Sequence, residues 1–220
     1  MRPLIVTLLA LSVACTAKQY DSPDAEEDLV VAACRRLDPS TLERLADIPR
    51  QAARCDLVAP PAAKPTRPWK IVPEDTVLGS PNHRGRDVFF APDEPQWVLG
   101  KFAYGILDSD LQGEEVDIYV LRDCDDTWEP LGTATTTDGT KHETVEGVED
   151  SGGRVYFRIP DDRKLGIGRH RVRMVVAGDG TTADQYIEVL PKGTPIFVSD
   201  VDGTLTERRE KDLQEAGVVG

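Results

Sequence analysis

The feature that most constrains how this chain folds is the alternation of apolar and polar residues, with a period of two, in short segments between about residues 87 and 190. Seven short segments there alternate apolar with polar residues, as Val116, Ile118 and Val120 do in one of them. Asp, Gly and Pro separate the segments, which indicates turns between strands. The predicted strands cover residues 87–91, 96–104, 116–122, 128–136, 154–159, 170–177 and 185–190.

Seven short strands without helical periodicity between them favour two stacked sheets. The predicted fold is therefore mainly β, with an antiparallel, immunoglobulin-like β-sandwich over residues 87–191. The Cys and Trp arrangement of antibody domains is absent from the sequence, so the expectation extends to the architecture alone. An apolar fraction of 40% is ordinary for a globular protein and is enough for a core of moderate size.

Charged residues of the predicted sandwich allow a functional and a structural interpretation. Arg169, Arg171 and Arg173 share one face of a strand. They could meet an anionic lipid head group or an acidic partner, or they could pair with neighbouring acids, which we favour. Clustered loop carboxylates could gather calcium, although such residues more often occupy turns. These carboxylates are Asp108, Asp110, Glu114 and Glu115 in one segment and Asp123, Asp125 and Asp126 in another.

The N-terminus has the pattern of a secretory signal peptide. Arg2 precedes an apolar run that ends in small residues before Cys15, and the run is too short for a permanent membrane span. A cysteine at this place resembles the bacterial lipobox, which implies cleavage after residue 14, lipidation of Cys15 and an outer-membrane anchor. The alternative is an ordinary cleaved signal. We therefore expect an exported protein of the bacterial cell envelope, with a polar, acidic tether at residues 15–27.

A helical pattern follows the tether. It predicts a hairpin of two short helices over residues 28–58, interrupted near residue 38, where Asp38 or Ser40 caps the second helix. Prolines then exclude a helix or an inner strand. Residues 59–86 are therefore expected to form a semi-rigid, proline-rich linker and an irregular segment.

The cysteines are expected to form one bridge between the helices. Export would place them in an oxidising compartment, where paired thiols persist. Cys34 and Cys55 flank a helical stretch and are the expected disulfide pair. Cys124 is then left over and is expected to be buried as a small hydrophobic residue.

Two carboxylates end an apolar run near the C-terminus. Asp200 and Asp202 are one residue apart, so they point to the same side of an extended chain, and Gly203 and Thr204 follow at once. Such a pair can share a Mg²⁺ ion that bridges to phosphate oxygens. One carboxylate can then attack phosphorus while the other protonates the leaving alcohol. The pattern predicts a magnesium-dependent phosphoryl-transfer site.

Residues 196–206 resemble the first motif of the haloacid-dehalogenase superfamily, and they are especially similar to that of the lipin-type phosphatidate phosphatases. The resemblance implies that Asp200 is the nucleophile, that Asp202 is the general acid and base, and that both hold Mg²⁺. It also implies that Gly203 and Thr204 bind phosphate. Such enzymes need a later Ser or Thr, a Lys and distal acids, which the remaining residues do not supply.

These patterns predict an exported protein that resembles the N-terminal part of a lipin-like, Mg²⁺-dependent phosphomonoester phosphatase. Residues 194–220 would be the truncated start of the α/β catalytic domain, so the 220-residue chain is expected to be inactive. The substrate would be a phosphomonoester, with phosphatidate as one candidate. The alternative is a lipid-tethered envelope β-sandwich that binds a partner without catalysis. A net charge of −13 argues against nucleic acid under either hypothesis.

Overall fold

The structure is a computed structural model that describes residues 38–70, 79–194 and 196. The chain divides into two compact units, Arg50–Lys192 and Met1–Pro49 with Gly193–Gly220. All strands of the described residues lie in Arg50–Lys192. No helix in the described ranges is long and apolar enough to cross a membrane. The predicted signal peptide and tether lie outside the described residues.

One helix, α1 (Pro39–Leu57), occupies the described part of the predicted helical hairpin. Proline is tolerated in the first turn of a helix, because the N–H that it lacks has no intrahelical partner there. The Asp38 carboxylate accepts hydrogen bonds from the Thr41 backbone N–H at 3.0 Å and from the Thr41 hydroxyl at 2.6 Å. Of the two predicted caps, Asp38 and Ser40, the structure confirms Asp38. The predicted first helix, residues 28–37, lies outside the described residues.

Ten strands in the described residues are numbered here in chain order. They are β1 (Arg84–Gly85), β2 (Val88–Phe90), β3 (Trp97–Lys101), β4 (Ala103–Tyr104), β5 (Ser109–Asp110), β6 (Glu115–Leu121), β7 (Trp128–Thr135), β8 (Arg154–Arg158), β9 (Gly168–Val176) and β10 (Thr182–Val189). Two short 3-10 turns, Arg122–Cys124 and Asp161–Arg163, lie in the connections. The chain is therefore mainly β, as predicted.

The strands form two sheets and a small hairpin. The larger sheet has the order β2-β10-β9-β6-β7, the smaller has the order β1-β3-β8, and β4 pairs with β5. Neighbouring strands are antiparallel except β2 and β10, which are parallel with Val88 opposite Ile187. After β1 ends at Gly85 in the smaller sheet, the chain continues without a hairpin turn into β2 at the edge of the larger sheet. The predicted sandwich is confirmed, but its description as antiparallel is wrong at this edge.

Alternation along the strands places one face of each sheet in a common core. Ile118 of β6 and Val172 and Met174 of β9 are fully buried. They belong to the same cluster as Val98 and Val155 of the smaller sheet. Because side chains from both sheets fill the interior, the outer faces and the loops remain as places for function.

The two sheets approach each other closely at Gly85. A Cβ atom at this position would overlap the backbone carbonyl oxygen of Asp184 in β10, so only glycine fits. Nearby, Gln185 connects the sheets from inside, since its side-chain oxygen accepts a hydrogen bond from the Leu99 N–H at 3.0 Å. This corner fixes the relative position of β1, β3 and β10.

A disulfide joins Cys55 of α1 to Cys124 of the first 3-10 turn, with Cα atoms 4.6 Å apart. The predicted disulfide between Cys34 and Cys55, with Cys124 left over, is therefore wrong. Proximity in sequence favoured Cys34, but the fold brings the end of α1 beside a turn that is 69 residues away. Cys34 itself lies outside the described residues.

Candidate functional site

Residues 54–68, here called the strap, lie along the outer face of the larger sheet. The Trp128 Nε1–H donates to the backbone oxygen of Ala59 at 2.8 Å. The Arg67 N–H donates to the backbone oxygen of Ala177 at 2.8 Å, and its guanidinium group donates to Asp117 at 2.7 Å. Prolines lack the donors needed to extend a sheet, so the segment lies on the face of the sheet instead. The segment predicted to be a linker is thus bound to the sandwich.

The arginine row of β9 lies on the same outer face and is paired with carboxylates of β10. Arg171 and Arg173 donate to Asp184 at 2.5 and 2.6 Å. Arg169 donates to Glu188 at 2.5 Å. Cross-strand neighbours of opposite charge stabilise a sheet. The arginines are engaged within the sheet, in line with the structural interpretation of this row, and they do not present an open anion site.

Burial and the arginines act in opposite directions on the two carboxyl groups. At Asp184, burial raises the pKa, but hydrogen bonds from Arg173 and Arg171 outweigh it, so the pKa lies below its usual range. At Glu188, burial dominates and raises the pKa although Arg169 opposes it. The positive charges of the arginine row are therefore balanced by the carboxyl groups of β10, and the row supports the strap.

Two aromatic rings complete this surface. The Trp128 ring lies 5.8 Å from the guanidinium carbons of both Arg171 and Arg173, and the Tyr186 ring lies 4.3 Å from that of Arg169. Arginine is attracted to aromatic rings at such distances. The rings also bind the strap, because the Tyr186 hydroxyl donates to Asp56 and the Trp128 indole donates to the strap backbone.

Two cavities adjoin the strap. A cleft of about 670 Å³ lies between the strap and Trp128, with Arg54 and Asp126 at its rim. A smaller cavity of about 250 Å³ lies between the strap and the sheet, against Tyr119 and Arg173. Pockets for drug-sized ligands occupy about 300–1,000 Å³. The larger cleft lies within this range and the smaller cavity lies below it.

A chain of polar groups lies beneath the β4–β5 hairpin. Asp179 accepts hydrogen bonds from the Tyr104 and Thr181 hydroxyls, each at 2.6 Å, and Thr181 Oγ1 lies 2.8 Å from His83 Nε2. The residue types resemble a nucleophilic triad, but the donor directions differ. His83 Nδ1 accepts from the Ala103 N–H at 3.2 Å, so Nε2 carries the proton and donates to Thr181. Burial lowers the pKa of His83 to about 4. This chain fixes the loop and does not activate Thr181.

The turn of the β4–β5 hairpin, residues 105–108, projects two aliphatic side chains. Ile106 is 104% exposed and Leu107 is 90% exposed, whereas both residues of β4, Ala103 and Tyr104, are buried. Asp108 has a left-handed backbone with φ of 54°. Its carboxylate forms an ion pair with Arg84 at 2.6 Å. The turn is therefore held in place while its apolar side chains point into solvent.

Carboxylates of the acidic loop segments form ion pairs within the sandwich. The described residues contain no group of three or more His, Cys, Asp or Glu that could hold a metal ion. Asp110 forms an ion pair with Lys101, and Glu115 forms one with Arg67 at 3.2 Å. These carboxylates serve as ion-pair partners of the sandwich.

The sites predicted at the chain termini lie outside the described residues. They are the magnesium and catalytic pair Asp200 and Asp202, the phosphate-binding Gly203 and Thr204, and the lipidated Cys15. The structure does not test them, and these residue assignments stay predictions.

Residues 81–189 match the family model described as "PITM 1-3, beta-sandwich domain". The match extends over β1 to β10, so it covers both sheets and the β4–β5 hairpin. It ends before the aspartate motif. A chain of the solved structure titled "Titin kinase and its flanking domains" aligns with 58% of this chain at 9% identity, but its TM-score of 0.24 is too low to support an argument.

The relatives of the chain are animal proteins. Human "Membrane-associated phosphatidylinositol transfer protein 3" is 36% identical over 159 residues, which are 70% of this chain and 15% of that protein. Mouse "Membrane-associated phosphatidylinositol transfer protein 2" is 41% identical over 56% of this chain and 8% of its own length. Drosophila "Protein retinal degeneration B" is 36% identical over 57% of this chain and 9% of its own length. The chain thus spans only a small part of these relatives.

These comparisons overturn the predicted identity. The assignment to the haloacid-dehalogenase superfamily and its lipin-type phosphatases is wrong, and the predicted phosphatase function with it, because the matches are to phosphatidylinositol transfer proteins. The predicted location in a bacterial envelope is wrong because the relatives are animal proteins. The alternative of a sandwich without catalysis agrees better with them. The β-sandwich of this chain is similar to the PITM 1-3 β-sandwich domains over residues 81–189.

Proposed function

We propose that this chain is a non-catalytic β-sandwich module of a protein that works at phospholipid membranes. The observation that supports this most directly is the match of residues 81–189 to the PITM 1-3 sandwich. The relatives are named for membrane association and phosphatidylinositol transfer. The chain spans 15% of the first of these relatives, so we assign it a supporting role and not the transfer of lipid.

The packing of the sandwich supports a role in contact with a membrane and argues against one in carrying lipid. Ile118, Met174 and Ile187 are fully buried in one core, and interiors of this kind have few voids larger than a water molecule. The cleft of about 670 Å³ beside the strap is open and has the size of a pocket for a drug-sized ligand. A phospholipid would therefore meet the outer surface of this module.

The scaffold that we propose is immunoglobulin-like. Its strands divide between a three-stranded and a five-stranded sheet that share one core, and two sheets stacked on one core support that class of sandwich. In such folds the loops at the two ends of the sandwich are free to contact partners. The β4–β5 hairpin is a loop of this kind.

Vesicle sedimentation with the full 220-residue chain tests the proposal. We expect the chain to sediment with phosphatidylcholine vesicles that contain phosphatidylinositol. We also expect no transfer of fluorescent phosphatidylinositol from donor to acceptor vesicles. Failure to bind vesicles of any composition would contradict the membrane role, and lipid transfer by the isolated chain would contradict the supporting role.

A further inference from the structure

We propose that Ile106 and Leu107, at the tip of the β4–β5 hairpin, insert into the boundary between head groups and acyl chains of a phospholipid bilayer. This inference rests on the proposed function and names the surface that makes the contact. Both side chains are at least nine-tenths exposed. Large aliphatic residues that project together from a polar surface indicate a site of interaction.

The local turn geometry explains why the two side chains point outward. Gly105 and Asp108 both adopt positive φ values, 70° and 54°. The Asp108 N–H donates to the Gly105 oxygen at 3.2 Å, which closes a tight turn. Ile106 and Leu107 occupy the two central positions of this turn, so they form the most prominent point of the hairpin.

The hairpin is also held rigidly at its base. The Gly105 N–H donates to the Ser80 oxygen at 2.9 Å. The Asp108 carboxylate accepts a hydrogen bond from the Asn82 side chain at 2.8 Å and forms its ion pair with Arg84. These contacts keep the tip from folding back onto the sandwich. The exposure of Ile106 and Leu107 is therefore built into the fold.

The size of the tip favours a bilayer over a protein partner. A stable interface between proteins needs about 800 Å² on each side. Even two aromatic side chains bury only about 300–500 Å², and Ile106 and Leu107 are smaller. The neighbours Arg84 and Asp108 are charged, so the apolar surface does not continue around the tip. A bilayer requires no matching surface, and it lets the charged neighbours stay among the head groups.

Charge indicates which lipids the tip would meet. The chain has a net charge of −13, which opposes attraction to an anionic surface. Arg84 beside the tip is already paired with Asp108. The contact is therefore apolar, needs no anionic lipid and is satisfied by a phosphatidylcholine surface. Phosphatidylinositol is not required for it.

The first experiment compares three full-length proteins in sedimentation with phosphatidylcholine vesicles. They are the wild type, the double variant Ile106→Ser with Leu107→Ser, and the control Leu57→Ser. Leu57 is an aliphatic residue of similar exposure, 85%, outside the hairpin. We expect the wild type and the control to partition equally and the double variant to bind at least tenfold more weakly. Thermal unfolding should be the same for all three, because the changed side chains lie in solvent.

A second measurement locates the tip directly. In the variant Ile106→Trp, brominated acyl chains should quench the added tryptophan fluorescence, while quenching of the wild-type tryptophans stays low. Absence of added quenching, or equal vesicle binding by the double variant and the wild type, would overturn the inference and leave the proposed function intact.

Two other outcomes also decide the matter. If the wild type binds no vesicles of any composition, the proposed function fails and this inference fails with it. If light scattering shows a dimer of the wild type that the double variant loses, and vesicles do not compete, then a second copy of the chain occupies the tip. That result would overturn the assignment to a bilayer.

Discussion

Removal of the Cys55–Cys124 disulfide should destabilise the sandwich strongly. The bond closes a loop of 69 residues, for which loop-closure entropy corresponds to about 4 kcal/mol of stability. Alanine at both positions removes the bond without leaving one of its two cysteines unpaired. For a unit of this size, 4 kcal/mol corresponds to a fall in Tm of about 8–16 °C. The end of the strap at Cys55 would lose its covalent attachment to the sheet.

The assay has two parts. Peptide mapping without reductant should recover Cys55 linked to Cys124. Urea unfolding of the double alanine variant should then give a midpoint well below that of the wild type, and reductant should lower the wild-type midpoint by a similar amount. The matched control is Cys34→Ser, which should leave both the linked peptide and the midpoint unchanged.

Three results would refute this reasoning. A peptide that links Cys55 to Cys34 would restore the pairing expected from the sequence. A wild-type midpoint that does not respond to reductant would show that the bond contributes little to stability. A lower midpoint for Cys34→Ser would show that a second cysteine pair stabilises the chain.

The remaining predictions concern packing, pH and buried charge. Gly85→Ala should lower the free energy of unfolding by about 2–3 kcal/mol, because its Cβ would overlap the backbone of β10. Gly166→Ala is the control, because no atom lies within 4 Å of its Cβ, and it should change this free energy little in the same urea assay. The pKa of His83 falls from 6.5 to about 4 on folding. The contribution of the neutral His83 ring to the free energy of unfolding is therefore fully present above pH 6.5 and is lost as the pH falls toward 4. Because the ring is partly exposed, the loss should be about 1–2 kcal/mol, and His83→Gln should remove this pH dependence. Asp184→Asn leaves two largely buried arginines without their carboxylate and should cost about 2–3 kcal/mol in thermal or urea unfolding; an unchanged midpoint would mean that water already screens them.

The strands of the sandwich could be predicted because one face of each is buried. The segment predicted at residues 116–122 corresponds to β6, and that at residues 170–177 corresponds to β9. A period of two is a local property, so the sequence shows it directly. The strands β4 and β5 have two residues each, which is too short for any alternation. The hairpin that presents Ile106 and Leu107 was missed for this reason.

The strap could not be predicted from local pattern. The prolines of residues 60–68 correctly excluded a helix and an inner strand there, but the sequence does not show which surface such a segment contacts. The hydrogen bond between Trp128 and Ala59 joins residues 69 positions apart. Only the order of strands in the larger sheet brings them together. The same long-range proximity decides the pairing of Cys55.

The identity of the sandwich was also inaccessible to motif reading. The aspartate motif is a compact local pattern, so it dominated the functional prediction from sequence. A β-sandwich instead depends on residues at many positions that pack against each other, as Val98, Ile118 and Met174 do. Such a pattern becomes visible only when the whole segment is compared with relatives. The match over residues 81–189 indicated which kind of β-sandwich this is, and no short motif in the sequence did so.

The pairing of the arginine row bears on the membrane contact that we propose for this sandwich. Its three guanidinium groups are already paired with Asp184 and Glu188, and the chain as a whole is strongly acidic. Attraction between basic residues and anionic lipids weakens as salt screens the charges. Burial of aliphatic side chains does not depend on such screening. Vesicle binding that persists from low to high salt therefore agrees with insertion of the hairpin tip, whereas binding that disappears with salt would require the arginines to leave their carboxylates and face the lipid.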